Sequence, residues 1–333
     1  MLVVALLALA AGTARADTTG SVTSNGTVFP YILHAPATYD SNKPVPLVVV
    51  VHGAQTTADQ ERRVTGFDTV ADENGFAVLY AEVDATDASA PGPLVQSWNF
   101  YDPRAYFRGN NDTAALALMA QTAMSALKVD PERVYLVGVS AGGLMTSAGA
   151  ADYPNLFAAV GIVESAGYAD GFCFTDGQGI PVQASAQLAS VAEGSSARVV
   201  PMIGFGSDGD LAFPANCMVK AVEQALRTSN LALSGSQDAP LSLTPATTVS
   251  RQVPGGYAYD VSTFDDPNGC LVGERYIIHG MPHAWPGGTD DPTVKGYGDP
   301  KAPDAAPAIW DFLKRYRKSE TGMPCAEATA PGP

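Results

Sequence analysis

One serine lies in a context that can turn a hydroxyl group into a nucleophile. Ser140 is the centre of GVSAG, residues 138–142, which follows a predicted strand, RVYLVG, and opens a predicted helix. A turn this tight strains the serine backbone and leaves Oγ exposed, and side chains at positions 138 and 142 would collide within it. We therefore predict Ser140 as the nucleophile of an acyl transfer, with the N–H of Ala141 directed at the developing oxyanion.

A serine nucleophile needs a general base, and the chain has four histidines to supply one. His34 lies in an early predicted strand, and His52 ends the apolar run PLVVVVHG, where it would shape the next loop. His279 closes the predicted strand ERYIIHG, whereas His283 lies in the Pro- and Gly-rich loop GMPHAWPGG. Because a loop lets an imidazole reach a nucleophile on another strand, we predict His283 as the base and His279 as a core or supporting residue.

The base in turn needs a carboxylate, and two aspartates follow the predicted strand VVPMIGFG. Asp210 lies farther into the loop and is the predicted acid, with Asp208 as the alternative. The segment GFGSDG also matches the dinucleotide-binding pattern G-x-G-x-x-G. That interpretation requires a helix at once and a ribose-binding acid about twenty residues later. We expect Pro214 to interrupt the helix, and Glu223 comes too early.

Two further sets of residues could complete such a site. The loop after His52 is expected to supply a second oxyanion donor, the backbone N–H of Ala54, with Gln55 as the alternative. Trp98 and Trp285 are predicted to form aromatic walls of the substrate cleft, with ordinary core packing as the alternative reading.

Strands and helices that alternate along the chain must position these residues. Unbroken apolar runs are typical of parallel strands that are buried on both faces. We expect helices from Asp59 to Glu73, from Asp112 to about Lys128, and around Ile309, which predicts an α/β fold with a mostly parallel sheet. The predicted strands are PLVVVVHG, FAVLYAEV, RVYLVG, FAAVGIV, VVPMIGFG and ERYIIHG, preceded by a hairpin at Asn25-Gly26.

Residues 1–16 are predicted to be a signal peptide. Leu2 to Ala11 is an apolar run too short to span a bilayer, and Ala14-Arg15-Ala16 has the small-x-small pattern of a cleavage site. A buried N-terminal helix is the alternative. We expect residues 17–333 to be a secreted, extracellular protein with one catalytic domain and a short C-terminal tail.

The composition is acidic, with 34 Asp and Glu residues against 19 Lys and Arg residues. Neutralising phosphates requires clustered Lys and Arg, so this balance argues against nucleic acid and anionic membrane surfaces as partners. It favours a neutral substrate, or one whose acidic product must leave.

Four cysteines in a secreted chain suggest two disulfides, for which three pairings are possible. We predict Cys173–Cys217, which would join segments after two core strands, and Cys270–Cys325, which would hold the C-terminal tail near the histidine loop. Zinc is the alternative, but the cysteines show no C-x-x-C spacing, and no metal site is expected.

Together these motifs resemble α/β-hydrolase esterases of the group that contains polyhydroxybutyrate depolymerases and feruloyl esterases. The resemblance extends from about Gly20 to Lys318, and its carriers are PLVVVVHG, SWNFYDP, VDPERVYLVGVSAGGLMT, YPNLFAAV and PHAWPGG. It implies the α/β-hydrolase fold, with helices on both faces of the sheet, and a serine carboxylic-ester hydrolase without a cofactor. Ser140 would be the nucleophile and His283 the base.

The resemblance also implies a substrate class. A polyhydroxyalkanoate-type polyester is expected, as a neutral polymer or oligomer cleaved by a monomeric enzyme through an acyl-enzyme intermediate. A feruloyl or acetyl esterase that acts on plant polysaccharide is the alternative. The chain departs from the family pattern at Ser97, which replaces a frequent cysteine, at Pro282, which replaces a glycine, and in the loop GFGSDGDLAF around the predicted acid.

Overall fold

A ten-stranded β-sheet organises the part of the chain that the structure describes. The structure is a computed structural model, and it describes residues 17–83, 96–289, 291–294 and 296–319. The strands are β1 Thr18–Ser24, β2 Thr27–His34, β3 Val45–Val51, β4 Ala77–Ala81, β5 Val129–Val139, β6 Ala159–Val163, β7 Met202–Ser207, β8 Thr247–Gln252, β9 Ala258–Asp265 and β10 Leu271–Ile278. Their order across the sheet is β1-β2-β4-β3-β5-β6-β7-β10-β9-β8. Two short strands, β11 Trp285–Pro286 and β12 Gly298–Asp299, pair separately.

The six central strands run parallel, as the apolar runs in the sequence predict. Every residue of β3 is buried, because alternate side chains enter two cores on opposite faces of the sheet. Leu47, Val49 and Val51 join one core, and Val48 and Val50 join the other. Antiparallel strands extend both ends of the sheet.

Helices cover both faces of the sheet, which confirms the predicted architecture. They are α1 Ala58–Thr65, α2 Phe67–Asn74, α3 Asn111–Ala126, α4 Ala141–Asp152, α5 Cys173–Asp176, α6 Val182–Glu193, α7 Ala215–Ser234 and α8 Ala305–Leu313. Side chains from α3, α4, α6 and α7 pack in one core, and side chains from α1, α2 and α8 pack in the other. No helix in the described ranges is long and apolar enough to cross a bilayer.

One local prediction about helices was wrong. The helix expected from Asp59 to Glu73 is divided into α1 and α2 at Gly66, whose φ of 66° is left-handed and ends the first helix. No helix follows GFGSDG at once, as expected: α7 begins only after Pro214, a position that tolerates proline because the first N–H groups of a helix have no internal partner. The dinucleotide interpretation also fails because Gly204 lies within β7 against Met218 rather than in a turn.

The hairpin and one disulfide are confirmed. Asn25 and Gly26 both have positive φ, as the tight turn between β1 and β2 requires. A disulfide joins Cys173 to Cys217, linking α5 to α7. Cys270 is buried just before β10, and its predicted partner Cys325 lies outside the described residues. The predicted signal peptide, residues 1–16, also lies outside them.

Candidate active site

Ser140 occupies a strained turn between β5 and α4. Its φ of 55° and ψ of −122° are conformations that L-residues rarely adopt. The flanking glycines are required by space: a Cβ on Gly138 would lie 2.3 Å from the carbonyl oxygen of Gly142, and a Cβ on Gly142 would lie 2.2 Å from that of Val51. Ser140 is therefore held at the carboxyl end of β5 by the packing of three backbone segments.

The loop after β3 lies against this turn. A Cβ on Gly53 would be in van der Waals contact with Cβ of Ser140, at 3.5 Å. Within the described part of the chain, the N–H groups of Ala54 and Ala141 donate no hydrogen bond, so both remain available to a substrate oxygen. The N–H of Gln55, the alternative donor, is bonded to the carbonyl of Gln96 at 3.2 Å.

His52 fixes the shape of this loop, as its position in the sequence predicts. The imidazole is fully buried, and burial lowers the pKa of His52 to about 4, against the opposing effect of a hydrogen bond with the Gly53 carbonyl. The hydrogen-bond pattern assigns the proton to Nδ1, which donates to the Gly53 oxygen at 2.6 Å, while Nε2 accepts the N–H of Val83 at 3.2 Å. This neutral imidazole braces the loop.

His283 and Asp210 meet at the same edge of the sheet. Nδ1 of His283 lies 2.6 Å from Oδ2 of Asp210, whose side chain is fully buried. The other oxygen, Oδ1, accepts the backbone N–H groups of Ala212 and Phe213. Burial by itself would raise the pKa of Asp210, but the hydrogen bond from His283 and the other donors outweigh it and hold the pKa below its ordinary value.

The alternative acid, Asp208, pairs with the other histidine of this region. Oδ2 of Asp208 lies 2.9 Å from Nδ1 of His279, and Oδ1 accepts the N–H of Gly280. This pair is largely exposed to solvent, and His279 also contacts Asp260. The hydrogen bond with Asp208 raises the pKa of His279. The loops after β7 and β10 thus form two separate Asp–His pairs, one partly buried and one on the surface.

The nucleophile and the Asp210–His283 pair follow parallel strands of one sheet. Ser140 follows β5, Asp210 lies in the loop after β7, and His283 lies in the loop after β10. Within the described residues, Oγ of Ser140 and the imidazole of His283 form no hydrogen bond. Such catalytic hydrogen bonds are often long until substrate binds.

Two residues predicted to line the cleft do not do so. Trp98 is fully buried, stacks near Phe29, and donates its indole N–H to the carbonyl of His52. Trp285 is also buried and packs edge-on against Phe67. Both rings belong to the core because they pack against Phe29 and Phe67. The presence of a tryptophan in the sequence does not reveal which partners it will pack against.

An apolar cavity of about 550 Å³ lies beside the site instead. Its lining includes Phe100, Tyr101, Tyr106, Phe107, Tyr168, Phe172, Phe174, Leu188 and Val191. The ring of Phe174 packs 5.4 Å from that of Phe213, which lies 6.0 Å from the imidazole of His283. A continuous run of aromatic rings therefore connects the cavity with the Asp210–His283 pair. Five of its lining residues, four of them aromatic, lie within residues 100–107, before α3.

Glu164 is a member of the site that the sequence reasoning missed. It follows β6 directly, and one carboxyl oxygen, together with ligand atoms of Asp210 and His283, falls within a group 4.8 Å across. Such a set could hold a metal ion, but Nδ1 of His283 and Oδ2 of Asp210 are already joined by their 2.6 Å hydrogen bond. The available signal was an acidic residue immediately after a continuous apolar strand, FAAVGIV.

Glu61 of α1 is buried behind the loop of Gly53. Burial raises the pKa of Glu61 to about 8, and a hydrogen bond from the Gly53 N–H opposes this shift only in part. A carboxyl group that stays protonated in the folded protein makes stability depend on pH.

Glu61→Gln is expected to stabilise the protein at alkaline pH. Because the folded-state pKa lies above the ordinary value of 4.5, the unfolded chain loses this proton first, and native stability falls as pH rises from about 4.5 to about 8. The amide removes this loss, so the gain in unfolding free energy should grow to a few kcal/mol, on the order of 1.4 per pKa unit. Urea unfolding across this pH range measures it, and a gain independent of pH would contradict it.

Comparisons with known proteins find similar chains among esterases. Residues 29–186 match the family model described as esterase PHB depolymerase. Poly(3-hydroxyalkanoate) depolymerase C of Paucimonas lemoignei is 32% identical over 38% of this chain and 28% of its own length. The putative esterase NocK of Nocardia uniformis subsp. tsuyamanensis is 28% identical over 80% of this chain and 74% of its own. Feruloyl esterase B of Neurospora crassa is 30% identical over 42% of this chain and 44% of its own length.

The fold is shared with a solved esterase. The acetyl xylan esterase from Aspergillus awamori superposes with a TM-score of 0.62 at 17% identity, covering 80% of this chain and 94% of that chain. The predicted α/β-hydrolase fold and the predicted family resemblance are therefore confirmed. Two of the three sequence relatives are matched only in part: the chain spans 28% of the depolymerase and 44% of the feruloyl esterase.

Proposed function

We propose that this chain, whose residues 29–186 match the esterase PHB depolymerase family, is a serine carboxylic-ester hydrolase. Ser140 is the nucleophile, His283 the general base, and Asp210 the carboxylate that orients it. One observation carries the proposal: the 2.6 Å contact between the buried Asp210 and the partly buried His283 lies at the sheet edge where Ser140 is held in a strained turn. Strain, a buried acid and a loop histidine together serve no evident packing purpose.

The proposed reaction proceeds in two halves. Nε2 of His283 takes the proton of Ser140 as Oγ attacks the ester carbonyl, and the N–H groups of Ala141 and Ala54 hold the oxyanion. The intermediate collapses, the C–O bond breaks, and the alcohol leaves with the proton from His283. Water then attacks the acyl-enzyme, its proton passes to His283 and on to Oγ of Ser140, and the acid is released.

The cavity supports an apolar acyl or alkyl chain as the substrate group. Its lining is almost entirely aromatic and aliphatic, and several of these side chains, including Phe107 and Val191, are largely exposed. Each methylene of a bound chain removed from water contributes about 0.8 kcal/mol. The net charge of −15 disfavours anionic polymers and would not retain a hydroxy-acid product. A polyhydroxyalkanoate-type polyester combines these properties.

Feruloyl or acetyl esters of plant polysaccharide form the second candidate class. The ring-lined cavity would equally accept a feruloyl ring, and the relatives include a feruloyl esterase. The two classes differ in the alcohol side of the ester, which is an aliphatic chain in one and a sugar in the other.

A side-by-side substrate panel tests the function and separates the classes. Amorphous aliphatic polyester, aromatic polyester, feruloylated oligosaccharide and a short p-nitrophenyl ester would be compared at one enzyme concentration. We expect soluble hydroxy acids from the aliphatic polyester and no release by Ser140→Ala. Efficient cleavage of the feruloylated oligosaccharide with every polyester untouched would establish the second class.

Phe107→Ala is expected to slow polyester cleavage about tenfold or more while sparing the short ester. The Phe107 ring is 59% exposed at the cavity, and its burial against a polymer chain would contribute roughly 1.5–3 kcal/mol. Val249→Ala on β8 is the matched control, an exposed apolar residue that does not line the cavity. Equal loss on the polymer and on the short ester would show that Phe107 supports the catalytic residues rather than the chain.

We also propose the setting in which the enzyme works. Residues 1–16 direct secretion, residues 17–333 form one catalytic domain, and the enzyme acts outside the cell as a monomer without a cofactor. The disulfide between Cys173 and Cys217 supports an oxidising compartment.

A further inference from the structure

Glu164 is held in an unfavourable environment directly after β6. Its side chain is fully buried, and its φ of 43° lies in the left-handed region, which is strained for a residue with a side chain. Its N–H donates to the carbonyl of Phe205 on β7 at 2.7 Å, which ties the turn to the strand that leads to Asp210. The surrounding structure therefore holds Glu164 in place although its backbone is strained and burying its carboxyl group costs free energy.

The position of Glu164 in the sheet places it within the proposed catalytic residues. Strand β6 lies between β5, which leads to Ser140, and β7, which leads to Asp210. The titratable groups that face Glu164 are Asp210 and, beyond it, His283. No Lys or Arg side chain of the described residues forms an ion pair with Glu164.

Two buried carboxyl groups this close cannot both be ionised at modest cost. Neither carboxyl oxygen of Glu164 accepts a hydrogen bond within the described residues. Asp210 already accepts from His283, Ala212 and Phe213, so it carries the negative charge of the pair. Burial, reinforced by the neighbouring Asp210 carboxylate, raises the pKa of Glu164 well above its ordinary value.

We propose that Glu164 is a positioning residue which, as a neutral carboxylic acid, donates a hydrogen bond to Asp210 and so holds the carboxylate that orients His283. The proposal rests on the proposed function of the Ser140, His283 and Asp210 site. The donated hydrogen bond keeps Asp210 ionised in a buried site and spreads its charge. Asp210 then fixes the orientation and the tautomer of the His283 imidazole.

Two unbranched substitutions separate hydrogen bonding from packing. Glu164→Gln keeps the shape, the neutrality and a donor, whereas Glu164→Met keeps the approximate length but removes the donor. Glu193→Gln is the matched control, because Glu193 is also buried and burial raises its pKa to about 8, yet it lies at the end of α6 next to Arg198. All three variants are compared on a short p-nitrophenyl ester.

We expect Glu164→Gln to retain kcat within about threefold and Glu164→Met to lose about tenfold to hundredfold in kcat with little change in KM, as for other residues that orient a functional group through a neighbour. In Glu164→Met the more concentrated charge on Asp210 should move the acidic limb of the kcat/KM profile to higher pH, by about one unit. Glu193→Gln should leave kcat and the pH profile unchanged.

An infrared spectrum tests the protonation state without turnover. The carbonyl stretch of a protonated carboxylic acid should appear at neutral pH as a positive band in the parent-minus-Glu164→Gln difference spectrum, because the amide lacks it. This measurement stands even if Glu164→Met does not fold. No difference band, an acidic limb of Glu164→Gln displaced to lower pH, or a Glu164→Met variant with parental kcat and profile would each overturn the proposal. Full activity in Ser140→Ala would instead overturn the proposed function and leave the infrared result intact.

Discussion

Ser140→Ala is expected to lower kcat for ester hydrolysis by on the order of 10⁶ while leaving the fold intact. The methyl group cannot form the acyl-enzyme, and only the oxyanion donors and substrate binding remain to accelerate direct attack by water. The strained φ of 55° does not depend on the hydroxyl, because it is imposed by Gly138, Gly142 and the β5–α4 junction. Hydrolysis of a short p-nitrophenyl ester measures the loss of kcat, and circular dichroism with thermal unfolding tests whether the fold is intact.

Ser147→Ala is the matched control for the nucleophile. Ser147 lies two turns into α4, where its buried hydroxyl donates to the carbonyl of Ala166, and its loss should cost stability but little activity. An alkyl fluorophosphonate should label Ser140 covalently in the parent protein. Labelling of another serine, or turnover near the parental rate in Ser140→Ala, would remove Ser140 from the mechanism.

Asp210→Asn is expected to reduce kcat by on the order of 10⁴, whereas Asp208→Asn should cost less than about tenfold. An amide at position 210 no longer provides the anionic acceptor for Nδ1–H of His283, so the imidazole loses its tautomer and the imidazolium loses its stabilisation. Asp208 instead pairs with the exposed His279, and solvent replaces that interaction easily.

The two asparagine variants control for each other, since they make the same change two residues apart. Their kcat values on one short ester, with unfolding midpoints for stability, are the measurement. The reverse order of the two losses would transfer the role of the acid to Asp208. Equal and small losses would mean that neither carboxylate orients the base.

The turn around Ser140 could be predicted because its constraints are local. A glycine on each side of the serine, a strand before and a helix after are all visible within some fifteen residues, and the close contacts of Gly138 and Gly142 are the physical reason for that pattern. The parallel sheet was similarly accessible, because strands buried on both faces must be apolar throughout, as β3 is.

Choosing between Asp208 and Asp210 depends on the path of a loop, which residue types do not encode. Both aspartates follow β7, and only the turn through Ala212 and Phe213 brings Asp210 beneath His283. The prediction that Trp98 and Trp285 line the cleft was wrong for the same reason. Whether an aromatic ring is buried depends on packing partners that are distant in the sequence. Phe100 and Phe107, which follow Trp98 closely in the sequence, do line the cavity.

Glu164 illustrates a signal that was present but ambiguous. An acidic residue directly after a buried strand is compatible with an exposed loop, and the left-handed backbone that turns it inward has no sequence signature outside glycine and asparagine. Its importance becomes visible only when β6 is seen between the strands of the nucleophile and the acid.

The strand order has a consequence for the kinetics of folding. About seventy residues separate Ser140 from Asp210, and about seventy more separate Asp210 from His283. His283 approaches the other two only when β10 pairs with β7, through contacts such as Ile278 with Ser207. Pairing of such remote segments carries a large loop-closure entropy and is slow compared with helix formation. After dilution from denaturant, ester hydrolysis should therefore recover more slowly than the circular dichroism signal of the helices. The rate at which activity returns would then report the pairing of β10 with β7.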